Sequence, residues 1–241
     1  MFISSDPHAI REHTDQLVAL EDGQIAKLDA HDFQVMQTDG EEVESHLLQL
    51  EEEWGESELG AYPHFMLKEI HEQSQSLQHC ISGRLRHAEG TSVLGGLQVQ
   101  PQKLAQLPHV RLIGCGTALH AAQIGQILIE QWARIPAVSH VASEFNANDP
   151  VINPKALHLA ISQSGETADT LSAVKEIQRK GADVYGIVNV VGSSIARQCG
   201  KGVYIHSGPE QSVASTKAFT NMVGALALSL IHISEPTRRY N

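Results

Sequence analysis

From residue 110 onward, short near-continuous apolar runs alternate with longer stretches whose apolar residues recur every three or four positions. The runs lie at 110–113, 137–141, 157–161, 184–188 and 202–205. Between them, Ile124, Ile127 and Leu128 mark the inner face of one predicted helix, and Leu171, Val174 and Ile177 that of another. A short helix is predicted near 194–198 and a longer one from Thr216. Strands that carry no polar alternation are buried on both faces, and strands that alternate with helices pair in parallel. The predicted class is therefore α/β, a parallel sheet between two helical layers.

Upstream the pattern changes. Strands are predicted at 2–6, 16–20, 24–28 and 33–36, with a helical turn at 7–11. Glu21-Asp22-Gly23 is a turn signal expected to close a hairpin between 16–20 and 24–28. Strands this few and short cannot bury a core, so residues 1–40 read as the tail of a larger β-containing domain. Residues 41–87 read as an acidic linker followed by a helical lead-in carrying Phe65, Ile70, Leu77 and Ile81. Gly90, Gly95 and Gly96 then mark a loop.

Composition changes this picture little. The 241 residues are 41% hydrophobic, ordinary for a globular chain, and no apolar run is long enough to span a bilayer. The formal charge of −11 is local: eight glutamates and no lysine or arginine lie between Glu41 and Glu58, leaving 20 acids against 17 bases elsewhere. That argues weakly against nucleic-acid binding. Three scattered cysteines form no disulfide framework, and the 14 histidines show no ligand spacing, so no metal or cofactor is expected and a reducing cytoplasm is favoured.

The candidate chemistry lies at strand ends. Ser162-Gln163-Ser164-Gly165-Glu166-Thr167 joins the third strand of the sheet to a helix. The glycine admits close backbone approach, the helix's first turn leaves N–H groups without partners, and its dipole favours negative charge. Ser162, Ser164 and Thr167 add hydroxyls and Gln163 an amide, a neutral cradle suited to a sugar phosphate. The same residues would also serve as a serine-rich helix cap. Gly114-Cys115-Gly116-Thr117 ends another strand, and in parallel sheets ligands sit at the carboxyl ends of strands. Two cradles on one sheet edge favour the phosphate reading over the cap. A dinucleotide fold is weaker, because the G-x-G pattern lacks its third glycine (position 119 is Leu).

Several motifs together resemble a known family. They are Leu20-Glu21-Asp22-Gly23, Lys68-Glu69-Ile70 with Glu72-Gln73, Gly114-Cys115-Gly116-Thr117, Ala142-Ser143-Glu144-Phe145, Ser162 to Thr170, and Val213-Ala214-Ser215-Thr216-Lys217-Ala218-Phe219-Thr220. In this order, over residues 1–227, they resemble the amidotransferases that make glucosamine 6-phosphate, the glutamine–fructose-6-phosphate aminotransferases (isomerizing). That family pairs an N-terminal glutaminase domain with two sugar-isomerase (SIS) domains. The resemblance implies a remnant of an αββα, Ntn-type glutaminase domain at 1–40, and an SIS-type three-layer αβα sandwich at 88–227 as the first SIS domain. It implies a phosphate on Ser162, Gln163, Ser164 and Thr167, with the sugar near Cys115, Gly116, Thr117, Val213 and Ser215. It reads Cys115 as pocket-lining, since the family's glutamine-cleaving nucleophile is an N-terminal cysteine, and implies a homodimer at full length.

The family's acid–base residues lie in the second SIS domain and C-terminal tail. The fragment is therefore expected to bind fructose 6-phosphate or glucosamine 6-phosphate but to carry no catalytic residue, with glutamine a substrate only of the full-length enzyme. The alternative is a non-enzymatic, sugar-phosphate-sensing SIS regulator, which would carry a basic helix-turn-helix where 1–40 show a hairpin. Two positions depart from the family pattern: Ala118 stands where serine is usual, and Ser212 where glycine is usual. Glu144 is expected to be a buried structural acid and Lys217 a surface or helix-end charge. Residues 228–238 resemble a translated sequencing adapter, so 228–241 are expected to be a non-native tail outside the fold.

Overall fold

A computed structural model describes residues 1–4, 10, 13–21, 23–30, 32–45, 47–49, 59–86, 88–99, 103–104 and 106–239. The chain divides into two compact units, Met1–Glu56 and Ser57–Asn241.

The first unit contains β1 (Gln16–Leu17), β2 (Gln24–Leu28), β3 (Phe33–Gln37) and β4 (Leu48–Gln49). β2 pairs antiparallel with β3, and β1 pairs antiparallel with β4. The hairpin expected between 16–20 and 24–28 does not form. The chain does turn at Glu21, whose N–H donates to Gln24 Oε1 at 2.9 Å. The hairpin turn, however, is at Asp29–Asp32: the Asp32 N–H donates to the Asp29 carboxylate at 2.9 Å and the Asp29 N–H to the Asp32 carbonyl at 3.0 Å. An aspartate bonding to nearby backbone makes a turn without glycine, which is why the glycine signal misled. Residues 41–43, expected to begin a linker, fold back on β3, with Val43 N–H 2.9 Å from the Val35 carbonyl. Residues 2–4 form no strand, and most of the strand and turn expected at 2–11 lies outside the described residues.

The second unit opens with α1 (Phe65–Ile81) and a small pair, β5 (Leu85–Arg86) with β6 (Thr91–Ser92). Then come β7 (Val110–Gly114), α2 (Gly116–Leu128), β8 (Ala137–Val141), α3 (Ala142–Phe145), β9 (Leu157–Ser162) and α4 (Ala168–Arg179). β10 (Val184–Val188), α5 (Ser194–Cys199), β11 (Gly202–Tyr204) and α6 (Lys217–Arg239) complete it. The sheet is parallel throughout, in the order β11-β10-β9-β7-β8. Strands β9 and β10 are buried along their whole length, whereas edge strand β8 is only partly covered.

Each sheet face carries its own core. On one, Leu112, Leu159, Ile161 and Ile187 meet Ala121 and Ala122 of α2 and Met222, Ala225 and Leu226 of α6. On the other, Ile113, Ala160 and Val188 meet Phe145 of α3, Val174 and Ile177 of α4, and Ile195 of α5. This is the expected three-layer αβα arrangement. Two details differ. The inner face of α2 is made of small residues, Ala118, Ala121, Ala122 and Gly125, while Ile127 is half exposed. A Cβ on Gly125 would lie 2.9 Å from Leu226 Cδ1, so α6 approaches α2 too closely for a large side chain there. The helix α6 also runs on past residue 227. Leu228, Leu230 and Ile233 are buried, continuing the spacing set by Met222, Ala225 and Leu226.

His158 of β9 is wholly buried, with Nε2 3.1 Å from the Asn153 carbonyl and Nδ1 without a partner. Burial pushes its pKa down from 6.5 to about 4; the Asn153 contact opposes this, and Arg111, His109 and Lys103 add to it. The unfolded chain takes up this proton near pH 6.5 and the folded chain only near 4. The resulting stabilisation is full above the higher value and lost on acidification toward the lower, by at most about 3 kcal/mol. Urea unfolding at about pH 7.5 and about pH 4.5 should therefore show wild type losing more stability on acidification than His158→Gln. Equal losses would remove His158 from the account.

Candidate functional site

Strand order reverses between β7 and β9: the chain leaves β7 outward to β8, then returns to β9 on the other side. At such a reversal the flanking crossovers lie on opposite faces and open a crevice at the carboxyl ends of the strands. Both predicted cradles border it, since Cys115–Thr117 follows β7 and Gln163–Thr167 follows β9. A dinucleotide-binding sheet would have the order 3-2-1-4-5-6, which this sheet lacks.

The β9–α4 loop is held by its own side chains. Ser162, buried at the strand end, accepts the Gly165 N–H at 3.0 Å and lies 3.0 Å from Thr167 Oγ1. One hydroxyl proton of that pair forms the bridge, leaving the other to donate outward. Ser164 Oγ accepts the Glu166 N–H at 3.1 Å and keeps its own proton to donate. Thr167 is the N-cap of α4 but makes no side-chain capping bond, so the cap reading does not account for its hydroxyl. The Glu166 carboxylate turns away and accepts the Ser194 N–H at 2.8 Å. Gly165 adopts φ +69°, and an added Cβ would lie 2.5 Å from Ser193 Cβ and closer still to its hydroxyl. Only glycine fits there.

On the β7 side, Cys115 is the N-cap of α2, its carbonyl accepting the Ala118 and Leu119 N–H groups at 3.1 and 3.4 Å. Its thiol is free and half-buried. Gly116 has φ +55° and is exposed, and Thr117 is half-buried. Ala118 is buried against the sheet.

Val213 and Ser215 lie on the loop from β11 to α6, at the same carboxyl edge because all five strands run in parallel. Val213 is fully exposed. Ser215 donates to Glu210 Oε2 at 2.8 Å and accepts the Phe219 N–H at 3.2 Å. Ser212 has no positive φ, so the serine there needs no glycine-like backbone. The described contacts do not link the residues of the three segments side chain to side chain. What they share is the sheet edge.

Sequence reasoning missed the residues that tie these segments together. Asn189, buried just past β10, donates its N–H to the Gln163 carbonyl at 3.2 Å, and its amide bonds to Ser207 N–H at 2.8 Å and Gly208 C=O at 2.9 Å. Glu69, wholly buried on α1, accepts the Gln211 N–H at 2.7 Å and the Ser212 N–H at 3.2 Å. Lys217 is buried rather than a surface charge, with Nζ 2.7 Å from Glu72 Oε2. Glu144, expected to be buried, is exposed on α3. The missed signal was a polar residue directly after a buried strand (Asn189), and acids on the α1 face that meets α6 (Glu69, Glu72).

Comparison with known proteins follows the same outline. The SIS domain family matches residues 103–232. Over 94% of its length the chain is 44% identical to a glutamine–fructose-6-phosphate aminotransferase [isomerizing] of Bacteroides thetaiotaomicron, and over 94% it is 41% identical to one of Thermus thermophilus. It spans 37% of the length of each. The C-terminal domain of glucosamine-fructose-6-phosphate aminotransferase from Francisella tularensis superposes with TM-score 0.67 at 32% identity, over 76% of this chain and 50% of that one. A glucosamine-6-phosphate deaminase of Thermotoga maritima shares the fold alone, with TM-score 0.56 at 19% identity over 71% of this chain and 49% of that one. With more than half of its length matched by that one domain family, on a sheet whose strand order opens the crevice the two cradles border, the chain belongs to the SIS domain family.

Proposed function

We propose that this chain is the sugar-phosphate-binding part of a glutamine–fructose-6-phosphate aminotransferase, the enzyme that makes glucosamine 6-phosphate and glutamate from fructose 6-phosphate and glutamine. The observation that carries the reading is the Ser162–Thr167 loop at the strand-order reversal, with spare hydroxyl donors ahead of a helix N-terminus. The phosphate would take the Ser162, Gln163, Ser164 and Thr167 donors together with the first N–H groups of α4. The sugar would extend toward Cys115, Gly116 and Thr117 on one side and Val213 and Ser215 on the other. In this reading residues 1–40 are the end of a glutaminase domain, 88–227 the first SIS domain and 228–241 a non-native tail. Glutamine is a substrate of the full-length protein, which pairs as a homodimer in the cytoplasm. Among the described residues, no helix is long and apolar enough to cross a membrane.

The chemistry of the whole enzyme moves a proton from one carbon to its neighbour beside a sugar carbonyl, which requires a positioned acid–base group. In this reading that group belongs to the second SIS domain and C-terminal tail of the family, so this chain should bind without turnover. Calorimetric titration with fructose 6-phosphate should give saturable binding, and fructose none. Thr167→Val, which removes one hydroxyl at nearly constant volume, should weaken binding by about ten- to a hundredfold, as expected for one hydrogen bond to a charged group. Glucosamine 6-phosphate formed above background by the 241-residue chain would overturn the no-turnover expectation.

Gly165→Ala should abolish measurable binding and lower stability by about 1–3 kcal/mol, because the backbone conformation and Ser193 both oppose a Cβ. Adding Ser193→Gly should restore part of the stability by removing the clash but not the backbone strain. Thermal melts of the single and double variants check this.

A further inference from the structure

The loop between β11 and α6 has no strand or helix of its own over residues 205–216, yet several of its backbone donors are met by side chains. Asn189 takes the Ser207 N–H, and Glu69 takes those of Gln211 and Ser212. Glu210 takes the Thr216 N–H at 2.8 Å and the Ala218 N–H at 3.2 Å, capping α6 from within the loop. Side chains therefore specify the loop's path. Of these, Glu69 is the costly one: it is a carboxylate with no exposed surface, at a position on α1 where an apolar residue would otherwise be favoured. What it holds are the two N–H groups immediately before Val213.

The same carboxylate-rich setting fixes how Ser215 presents itself. Its proton is donated to Glu210 and one lone pair accepts the Phe219 N–H, so one acceptor lone pair remains. Such an oxygen recognises a hydroxyl donor and not a phosphate oxygen. The opposite holds at the Ser162–Thr167 loop, where hydroxyl donors remain available. The two ends of the crevice thus differ in polarity: one offers donors for an anion, the other an acceptor beside carboxylates.

We propose that Glu69 is a positioning residue for recognition of the sugar's hydroxyl-bearing end: by holding the Gln211 and Ser212 N–H groups it sets the loop that carries Val213 and Ser215, while leaving the phosphate end untouched. This rests on the sugar-phosphate reading above. A residue that merely supported the fold would affect both ends alike. Glu69 is predicted to separate them.

The experiment measures dissociation constants of fructose 6-phosphate and of inorganic phosphate for the 241-residue chain, its Glu69→Ala and its Glu69→Gln variants, with circular dichroism and thermal melts alongside. Glu69→Ala should weaken fructose 6-phosphate by about tenfold, through the misplaced Val213–Ser215 segment, and leave phosphate within about twofold. Glu69→Gln keeps a carbonyl oxygen in the same place and should recover most of the loss. A parallel weakening of both ligands in the well-folded Gln variant, or no change in either ligand for both variants, overturns the inference. Should wild type bind neither ligand, the functional reading fails and takes the inference with it. Should wild type and both variants bind both ligands equally, only the role of Glu69 is lost.

Discussion

A parallel crossover is right-handed, so the direction in which the chain moves along a sheet decides which face its helix covers. Moving from β7 to β8 puts α2 on one face, and returning past β7 to β9 and onward puts α4 and α5 on the other. The loops after β7 and β9 border the gap that such a reversal opens at the carboxyl ends of the strands. The site depends on that reversal more than on any single side chain. It is set by connectivity, and connectivity is secured by β9, a six-residue strand buried throughout and paired on both sides. Weakening β9 would disturb both cores at once, because Leu159 and Ile161 serve one face and Ala160 the other.

Around the crevice, the polar groups that shape the loops are supplied from a distance. Ser76 of α1 donates to the Ser207 carbonyl at 3.3 Å, and the buried Asn221 of α6 donates to Ser76 Oγ at 2.8 Å and to the Ile205 carbonyl at 3.0 Å. With Glu69 and the Glu72–Lys217 pair, α1 is stitched along its length to the segment from 205 to 221. A buried ion pair is weak evidence for stability, since desolvation offsets its attraction. Its value here is geometric. It fixes the register of two parallel-running helices at the end from which the loop departs.

Much of this was legible in the sequence, for a physical reason. Strands such as β9 and β10 are buried on both faces and leave nearly continuous apolar runs, and the Ser162–Thr167 loop shows as a short hydroxyl- and glycine-bearing stretch directly after one of them. The α1 and α4 helices carry ordinary amphipathic spacing. What was not legible depended on partners far along the chain. Lys217 looks like a surface charge until Glu72, 145 positions away, is placed beside it. Ile127 looks like a core residue until α6 is found close enough to Gly125 to demand small side chains around it. The first unit misled for a local reason: the Asp29–Asp32 turn is built by a side chain that a glycine-based reading ignores.

The continuation of α6 past residue 227 follows from the same physics. Position by position, Ala218, Met222, Ala225, Ser229 and Ile233 recur at three- and four-residue intervals and are each buried. Ser229 satisfies its hydroxyl by donating to the Ala225 carbonyl at 2.8 Å, as a buried serine in a helix must, and the Leu228 carbonyl accepts the Ser92 hydroxyl at 2.6 Å. A segment needs only apolar residues in phase with the preceding turn to extend a helix over an existing core. Whatever its origin, the stretch beyond 227 meets that condition through Ile233. The helix boundary therefore reports packing rather than where one domain's sequence ends.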